Sequence, residues 1–516
     1  FRLEGELAAR LRARLAPDGR AALPELPALP GVALNVGQRH AVQRVLAQVD
    51  AGVGGLVLIT GGPGTGKTFV IASLLRALAR VWPAGQTPAE LLARVAFAAP
   101  TGKAAHRMGE SLQRALRTAE NNVDRALLHA LMDEARQPRT LHRLLGYRPS
   151  TGQFRHHAKN PIDAALVVVD EASMIDLAMM RQLLEATPPR AVLVLLGDAD
   201  QLPSVEAGAV LRDLVEARDD RIRSCATMLT ESQRQRADDP DGRSILDTAQ
   251  AINQGELPGP QALAERQRLE ELAFRGAEII EADLHALLEH WFEASFALDS
   301  FVALVRRDYR IATRESGRAR FYDADEACLG ELFAEVGRRK LLAVTRHQID
   351  AMNAWLHARH SRDARLFSQS ESALFERRFV PGEPVLMCRN DPVRGLFNGD
   401  HGLVLRVTEP KGSRSFQAVF PSAQGFKSFP LPELRDDLEH AFAMTVHKSQ
   451  GSEFECALLV LPDQPTPLLT RELIYTALTR AKRSAVIHGK RSLLLDGIRR
   501  RAERSSGLAE RVTRAS

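Results

Sequence analysis

The sequence predicts an α/β protein built on two parallel sheets, each covered by helices on both faces. Three observations carry this. A first series of short, continuously apolar runs (Gly55–Thr60, Val95–Ala99, Ala165–Val169 and Ala191–Leu196) alternates with helical stretches, the pattern of strands buried on both faces. A second series follows at Leu341–Thr345, Cys456–Leu461 and Ala485–His488. Finally, 516 residues are too many for a single core.

Residues 1–30 begin with an Arg/Glu-bearing helical pattern and pass into Leu23-Pro24-Glu25-Leu26-Pro27-Ala28-Leu29-Pro30, so 1–34 reads as an N-terminal remnant and linker. The first residue is Phe1 rather than Met, so the chain reads as trimmed there, and nothing resembles a signal peptide. The first sheet domain is expected over 35–235. The second is expected over 236–381 and 433–500, with a helical segment at about 255–335 and a tail at 501–516. Residues 382–432 differ from both. Short β-like runs (Pro384–Cys388, His401–Val407, Ser415–Phe420) with Gly and Pro turns predict a small β-barrel inserted in the second domain.

Composition narrows the class. A hydrophobic share of 45% and a charged share of 26% are those of a soluble globular protein. Net charge is +5, a mild basic bias that suits a nucleic-acid partner, while the 5% aromatic share argues against a surface made mainly of stacking platforms. Cys225, Cys328, Cys388 and Cys456 lie far apart with no CxxC pair, so neither zinc nor a disulfide framework is expected and a cytoplasmic location fits. No apolar run is long enough to cross a bilayer. Only nine residues are Lys, and Lys67, Lys103 and Lys448 fall in the motifs that follow.

Gly61-Gly62-Pro63-Gly64-Thr65-Gly66-Lys67-Thr68 matches GxxxxGK[ST], directly after an apolar strand and opening a helix, which is the context a phosphate-binding P-loop requires. Backbone N–H groups of such a loop cradle phosphates, Lys67 reaches the β- and γ-phosphates, and Thr68 binds Mg²⁺. Val167-Val168-Val169-Asp170-Glu171-Ala172-Ser173 ends the third strand in two carboxylates. Asp170 suits Mg²⁺ and Glu171 suits the general base; the bland alternative is an acidic helix N-cap. Gln38, about twenty residues before the strand that leads into the loop, carries the donor and acceptor an adenine edge needs, but taken alone it reads first as a solvated helix start.

Other segments extend this to a motor. In Gly197-Asp198-Ala199-Asp200-Gln201-Leu202-Pro203, Gln201 can sense a γ-phosphate or position water. Arg234 and Arg480 are candidate fingers on a transferring phosphoryl group, although an Arg-rich chain supplies such residues by chance. Pro100-Thr101-Gly102-Lys103 is small and hydroxylic, suited to close approach of a phosphodiester backbone. Thr445-Val446-His447-Lys448-Ser449-Gln450-Gly451-Ser452-Glu453 packs hydroxyls, a cation and an amide just before a strand, suited to phosphate on one side and nucleic acid on the other.

In this order the segments resemble the signatures of superfamily 1 helicases, in the 5′→3′ branch, and within it the RecD family; Thr140-Leu141-His142-Arg143-Leu144-Leu145-Gly146, Asp170–Met174 with Asp198–Gly208, and Ala441–Phe454 are the closest stretches. The resemblance covers about residues 35–490. It implies two RecA-like domains with ATP and Mg²⁺ between them. Gln38, Gly62, Gly64, Thr65, Gly66, Lys67, Thr68 and Glu453 would bind nucleotide, with Asp170 and Thr68 on the metal and Lys67, Glu171, Gln201, Arg234 and Arg480 in catalysis. Single-stranded DNA would meet Pro100, Thr101, Gly102, Lys103, His142, Arg155, His156, Thr445, His447, Lys448 and Ser449. Residues 146–160, with Arg148, Arg155, His156, His157 and Lys159, would form a pin that splits the duplex, and 382–432 an SH3-like module beside the DNA. The implied partners are DNA duplex ends and RecB-like and RecC-like subunits in a heterotrimer acting on double-strand breaks. No nuclease site of its own is apparent, since Glu409-Pro410-Lys411 reads as a turn. A stand-alone helicase and a P-loop ATPase switch without DNA are the rival readings.

Overall fold

The computed structural model describes residues 2–15, 23–81, 87–117, 121–203, 208–217, 219–232, 239–315, 318–366, 378–391, 393–422, 425–502 and 507–513. Contacts divide the chain into two compact units, Phe1–Asp238 with Ala502–Ser516, and Asp239–Arg501. The α/β class and both parallel sheets are present.

The first unit contains β1 (Gly55–Gly61), β2 (Val95–Ala99), β3 (Arg139–Thr140), β4 (Tyr147–Arg148), β5 (Gln153–Phe154), β6 (Leu166–Val169), β7 (Val192–Gly197) and β8 (Ala226–Leu229). Six form one sheet in the order β3-β2-β6-β7-β1-β8, every pairing parallel. Side chains alternate across a strand, so the continuous apolar runs feed two cores. Val57, Ile59, Val168, Val194 and Leu196 face one side, packed with Val42 and Val45 of helix Val36–Ala51 and Val70, Ile71 and Leu74 of helix Lys67–Val81. Leu56, Leu58, Val167, Val169, Leu193 and Leu195 face the other, packed with Leu183 of helix Leu177–Ala186 and Leu211 of helix Val210–Glu216.

The stretch read as remnant and linker does more than connect. Helix Arg2–Arg14 buries Leu7 and Leu11 in this second core, where Leu508 and Val512 of the short helix Leu508–Thr513 join it. Arg14 donates to the carbonyls of Thr187, Pro188 and Ala191, which closes the end of helix Leu177–Ala186. β4 and β5 form a separate antiparallel hairpin.

The second unit holds β9 (Leu263–Arg266), β10 (Gly276–Ile280), β11 (Asp308–Glu315), β12 (Arg318–Phe321), β13 (Arg339–Ala343), β14 (Pro384–Met387), β15 (His401–Thr408), β16 (Arg414–Ser422), β17 (Gly425–Pro430), β18 (Leu438–His440), β19 (Ala443–Thr445), β20 (Phe454–Val460) and β21 (Ala481–His488). A parallel sheet runs β19-β13-β20-β21-β10-β9. A second sheet, β12-β11-β15-β14-β18 with β16 and β17 attached through β15, is antiparallel except at β11–β15.

The segment 255–335 is thus not simply helical. Helices Leu284–Phe296, Asp299–Arg306 and Asp323–Arg338 lie there, but so do β9 to β12. β10 escapes a hydrophobic scan because it carries Glu278, which is only 1% exposed. Arg266 Nε satisfies that carboxylate at 2.7 Å, with the Ala273 N–H at 3.1 Å and the Arg275 N–H at 3.3 Å. β11 and β12 alternate, with Tyr309, Ile311, Ala319 and Phe321 inside, and the sheet they extend therefore begins well before the 382–432 stretch.

One charged pair braces the first unit. Arg76 (1% exposed) meets Asp124 (0% exposed) through Nε and Nη2 at 2.9–3.0 Å, joining helix Lys67–Val81 to helix Asn122–Leu131. Removing one member of such a pair strands a buried charge, at roughly 3–5 kcal/mol, whereas an apolar replacement of both is nearly neutral. Asp124→Ala should therefore lower the stability of the first unit by about 3–5 kcal/mol in urea unfolding, and Arg76→Met with Asp124→Leu should recover most of it; equal losses in both variants would remove the pair as the cause.

Candidate functional site

The C-terminal edge of the first parallel sheet gathers the chemistry. β1 leads into the loop 61–66 and helix Lys67–Val81, while β7 lies beside β1 (Thr60↔Gly197) and β6 beside β7 (Val169↔Leu195). The residues that follow these three strands therefore converge where open α/β sheets place ligands.

In the loop, Gly64 and Gly66 have φ of 75° and 83°, the left-handed region that favours glycine. Gly66 also has no room for more, since a Cβ would lie 2.6 Å from Gln38 Nε2. Lys67 Nζ donates to the carbonyls of Gly61 at 2.6 Å and Gly62 at 3.1 Å, and Thr65 Oγ1 donates to Gly62 at 2.8 Å. Thr68 stands half-buried in the first helical turn, whose unpaired N–H groups give that end a partial positive charge.

Gln38 departs from both readings of it. The residue is 3% exposed and forms a capping box with Asn35, and its Nε2 donates to the Thr65 carbonyl at 3.1 Å. Its Oε1 accepts from the Asn35 N–H at 3.3 Å, so the amide braces the loop from behind instead of presenting an open edge.

Asp170 follows β6 with its N–H bonded to Ala98, and its Oδ1 accepts from the Glu171 N–H at 2.8 Å. Burial pushes its carboxyl up to about 6, helped by the charge of Glu171 and opposed by Lys67 and Arg107. Glu171 is one of two non-glycine residues with positive φ among those described (φ 53°), a strained backbone that turns its side chain off the strand line. Asp198, after β7, is 1% exposed and also shifted upward, chiefly by burial, with Lys67 opposing. It accepts from Gln201 Nε2 at 3.1 Å, and Gln201 Oε1 is a buried acceptor without a partner, as is Ser173 Oγ. Three acidic side chains, one ammonium and two unsatisfied polar atoms thus share one edge. The donor set fits a hydrated divalent cation and a phosphate chain.

Asp198 and Arg107 were not singled out from sequence. Asp198 could have been, because it stands in the same motif as Gln201. Arg107 lies one turn after Lys103 on helix Gly102–Arg117 and reveals itself only through the field it exerts on Asp170. Arg234 lies outside the described residues, but Ser232 Oγ donates to the Pro63 carbonyl at 3.0 Å, so the chain approaching it abuts the loop.

The expected DNA-facing residues scatter by role. Thr101 follows Pro100, and its Oγ1 accepts from the Ala104 N–H at 3.2 Å at the start of the helix that contains Gly102 and Lys103. His142 packs its ring on Tyr147 (5.3 Å) and Phe154 (5.9 Å) at the root of the β4–β5 hairpin, and burial lowers its pKa. Arg148, Arg155, His157 and Lys159 are exposed. His156 is less available than expected. Its Nδ1 faces the carbonyls of Asn160 and Pro161, both at 3.2 Å, so that nitrogen carries the proton and serves the loop.

In the second unit, Thr445 ends β19 and accepts from the Lys448 N–H at 3.2 Å; Lys448 Nζ reaches Glu439 at 3.3 Å, and His447 is half-buried. Ser449 corrects the expectation that its hydroxyl meets DNA, because it is 0% exposed and donates inward to the Val446 carbonyl at 2.7 Å. Glu453 pairs with Lys482 at 3.7 Å. Arg480 is 3% exposed, with Nε on the Thr476 carbonyl and Nη1 on the Ser452 carbonyl, both at 3.2 Å. Its guanidinium is braced by its own unit.

Residues 38–207 match an AAA domain family and residues 440–488 a UvrD-like helicase C-terminal domain. The chain is 36% identical over 488 residues to the RecBCD enzyme subunit RecD of Mycolicibacterium smegmatis, covering 94% of this chain and 77% of that protein. It is 31% identical to the ATP-dependent RecD2 DNA helicase of Deinococcus radiodurans, over 89% of this chain and 50% of that protein. Among solved structures, the Pif1 helicase of Candida albicans aligns with 90% of this chain and 96% of its own at 16% identity and a TM-score of 0.42. No helix among the described residues is long and apolar enough to cross a membrane. A relative 36% identical across 77% of its own length, joined to a nucleotide edge of this form, places the chain in the RecD family as an ATP-hydrolysing DNA helicase.

Proposed function

We propose that the chain hydrolyses MgATP at the edge formed by β1, β6 and β7 and uses the cycle to travel 5′→3′ along single-stranded DNA, as the motor subunit of a heterotrimer with RecB-like and RecC-like partners that acts on broken duplex ends. The convergence of Lys67, Asp170 and Glu171 on one sheet edge carries this reading. The loop 61–66 and the helix N-terminus receive the phosphates, and Lys67 turns from the Gly61 and Gly62 carbonyls to the β- and γ-oxygens. Thr68 and Asp170 would hold Mg²⁺, which would supply positive charge against the phosphates. Glu171 takes the proton of the water that attacks the γ-phosphorus as the bond to the leaving ADP oxygen breaks. Gln201 orients that water or reads the γ-phosphate, and its unpaired Oε1 is the group with capacity to do so. Arg234 and Arg480 as fingers and Glu453 as a nucleotide contact rest on the family resemblance. The β4–β5 hairpin suits a duplex-splitting pin, since Arg148, Arg155, His157 and Lys159 are exposed around an aromatic root.

Direction rests on the family resemblance and partners on the relatives' names. The higher identity and coverage belong to a protein named as a RecBCD subunit, whereas the likeness to RecD2 favours a second reading, a helicase that works without partners. Gel filtration with RecB-like and RecC-like proteins separates the two. Co-elution as one assembly is expected, and a chain that elutes alone at every ratio favours the second.

Glu171→Gln should retain nucleotide while turnover falls by roughly 10²–10⁴-fold; undiminished phosphate release would remove Glu171 as the base. On tailed duplexes, a 5′ overhang should support unwinding and a 3′ overhang should not, and the reverse preference would refute the direction. Because the Asp170 carboxyl is raised to about 6, it is ionised above that pH and protonated below it, and protons then compete with Mg²⁺. Mg²⁺-dependent binding of a fluorescent ATP analogue should weaken as pH falls through 6 and do so more steeply than in Asp170→Asn, whose weak binding keeps only the slope of the nucleotide's own terminal phosphate. A wild-type profile no steeper than the variant's from pH 7 to 5 would contradict the assignment.

A further inference from the structure

A second cluster of ligating side chains lies in the other unit, with one member, His440, directly before the stretch Ala441–Phe454. Helix Arg346–Ser361 presents Asn353 and His357, one turn apart, to the segment 440–443. Asn353 Nδ2 donates to the His440 carbonyl at 3.0 Å and its Oδ1 accepts from the Ala443 N–H at 2.8 Å. Glu383 immediately precedes β14, His440 ends β18, and these strands pair with Val385 opposite His440. The chain passes between the parallel sheet and the antiparallel sheet at these two places. His357, Glu383 and His440 therefore meet at the root of the antiparallel sheet.

Glu383 is 0% exposed, yet its carboxylate is held ionised, down to about 2, because hydrogen bonds from the two imidazoles outweigh burial. His357 Nδ1 lies 2.5 Å from Oε1, and His440 Nε2 lies 3.3 Å from Oε2, which also accepts the Val380 N–H at 2.8 Å. One donor atom from each of the three residues falls within 4.8 Å of the others. The His357 and His440 side chains are 23% and 18% exposed, so a small ion can enter from one side.

We propose that His357, Glu383 and His440 bind one divalent transition-metal ion, Zn²⁺ by preference, which pins the antiparallel sheet to helix Arg346–Ser361. Two imidazole nitrogens and one carboxylate oxygen are a zinc ligand set with a fourth position left for water. Bonds of about 2.0–2.1 Å in a tetrahedron separate donors by roughly 3.3 Å, the distance His440 Nε2 already keeps from Oε2, while His357 Nδ1 faces the other oxygen, Oε1, and a small rotation of the carboxylate brings it into the set. The imidazoles select against Mg²⁺ and Ca²⁺, which prefer all-oxygen sites. The Val380 N–H on Oε2 supplies the outer contact that fixes the carboxylate. His360, one turn further along the helix, stays outside the set, with Nε2 bonded to the Pro381 carbonyl at 2.9 Å.

The test strips the full chain with chelator and titrates it with Zn²⁺ without nucleotide, following heat, melting temperature and, with Co²⁺ in place of Zn²⁺, visible absorption. Wild type should bind one more equivalent than His357→Ala/His440→Ala, show a Co²⁺ ligand-field band that this variant lacks, and gain melting temperature with Zn²⁺ where the variant does not. Glu383→Gln, which keeps the volume, should weaken Zn²⁺ binding by roughly tenfold or more and decides the matter if the double variant fails to fold. Equal stoichiometry, no band and equal melting shifts in wild type and variants would overturn the proposal and leave a hydrogen-bonded triad only.

Discussion

The first unit depends on a concentration of negative charge that Lys67 and Arg107 offset only in part. Asp170, Glu171 and Asp198 stand at the ends of two adjacent buried strands, and burial raises both aspartates. Lys67 opposes both shifts, while its ammonium is anchored on the carbonyls of its own loop. Such an arrangement costs folding energy and persists because the surrounding sheet fixes it. A divalent cation relieves the carboxylates, and a phosphate chain draws Lys67 off the loop, so both ligands act on the same imbalance. Strain at Glu171 and the empty acceptor on Gln201 belong to the same edge, which is where a folded protein retains unsatisfied groups for use.

Much of this edge was legible in the sequence because its determinants are local. Glycines at Gly64 and Gly66, a Lys at the first helical position and two carboxylates at a strand end each sit within a few residues of an apolar run, and period alone places them. The four long strands of the first sheet were equally plain, since burial on both faces leaves no polar residue to break them.

What escaped depends on contacts across the chain. β3 is an edge strand of two residues, and β8, at the other edge, has half-buried and exposed positions that break the continuous apolar run. β10 was hidden by Glu278, whose charge is acceptable in a buried strand only because Arg266 arrives from the neighbouring strand. The capping box of Gln38 is a local signal, but its bond to Thr65 joins residues 27 apart in the chain. The inward turn of Ser449 follows from a tight helical turn that composition does not reveal. The His357, Glu383 and His440 cluster spans three distant segments, so a reading that sought metal in cysteine spacing had no means of finding it.

Under the proposed function, hydrolysis in the first unit is coupled to movement on DNA. The most direct measurement is steady-state phosphate release by the full chain with and without saturating single-stranded DNA, with Lys67→Gln as the blank. Such coupling predicts a steep rise with DNA in the wild type and none in the variant. Equal wild-type rates under the two conditions would contradict it.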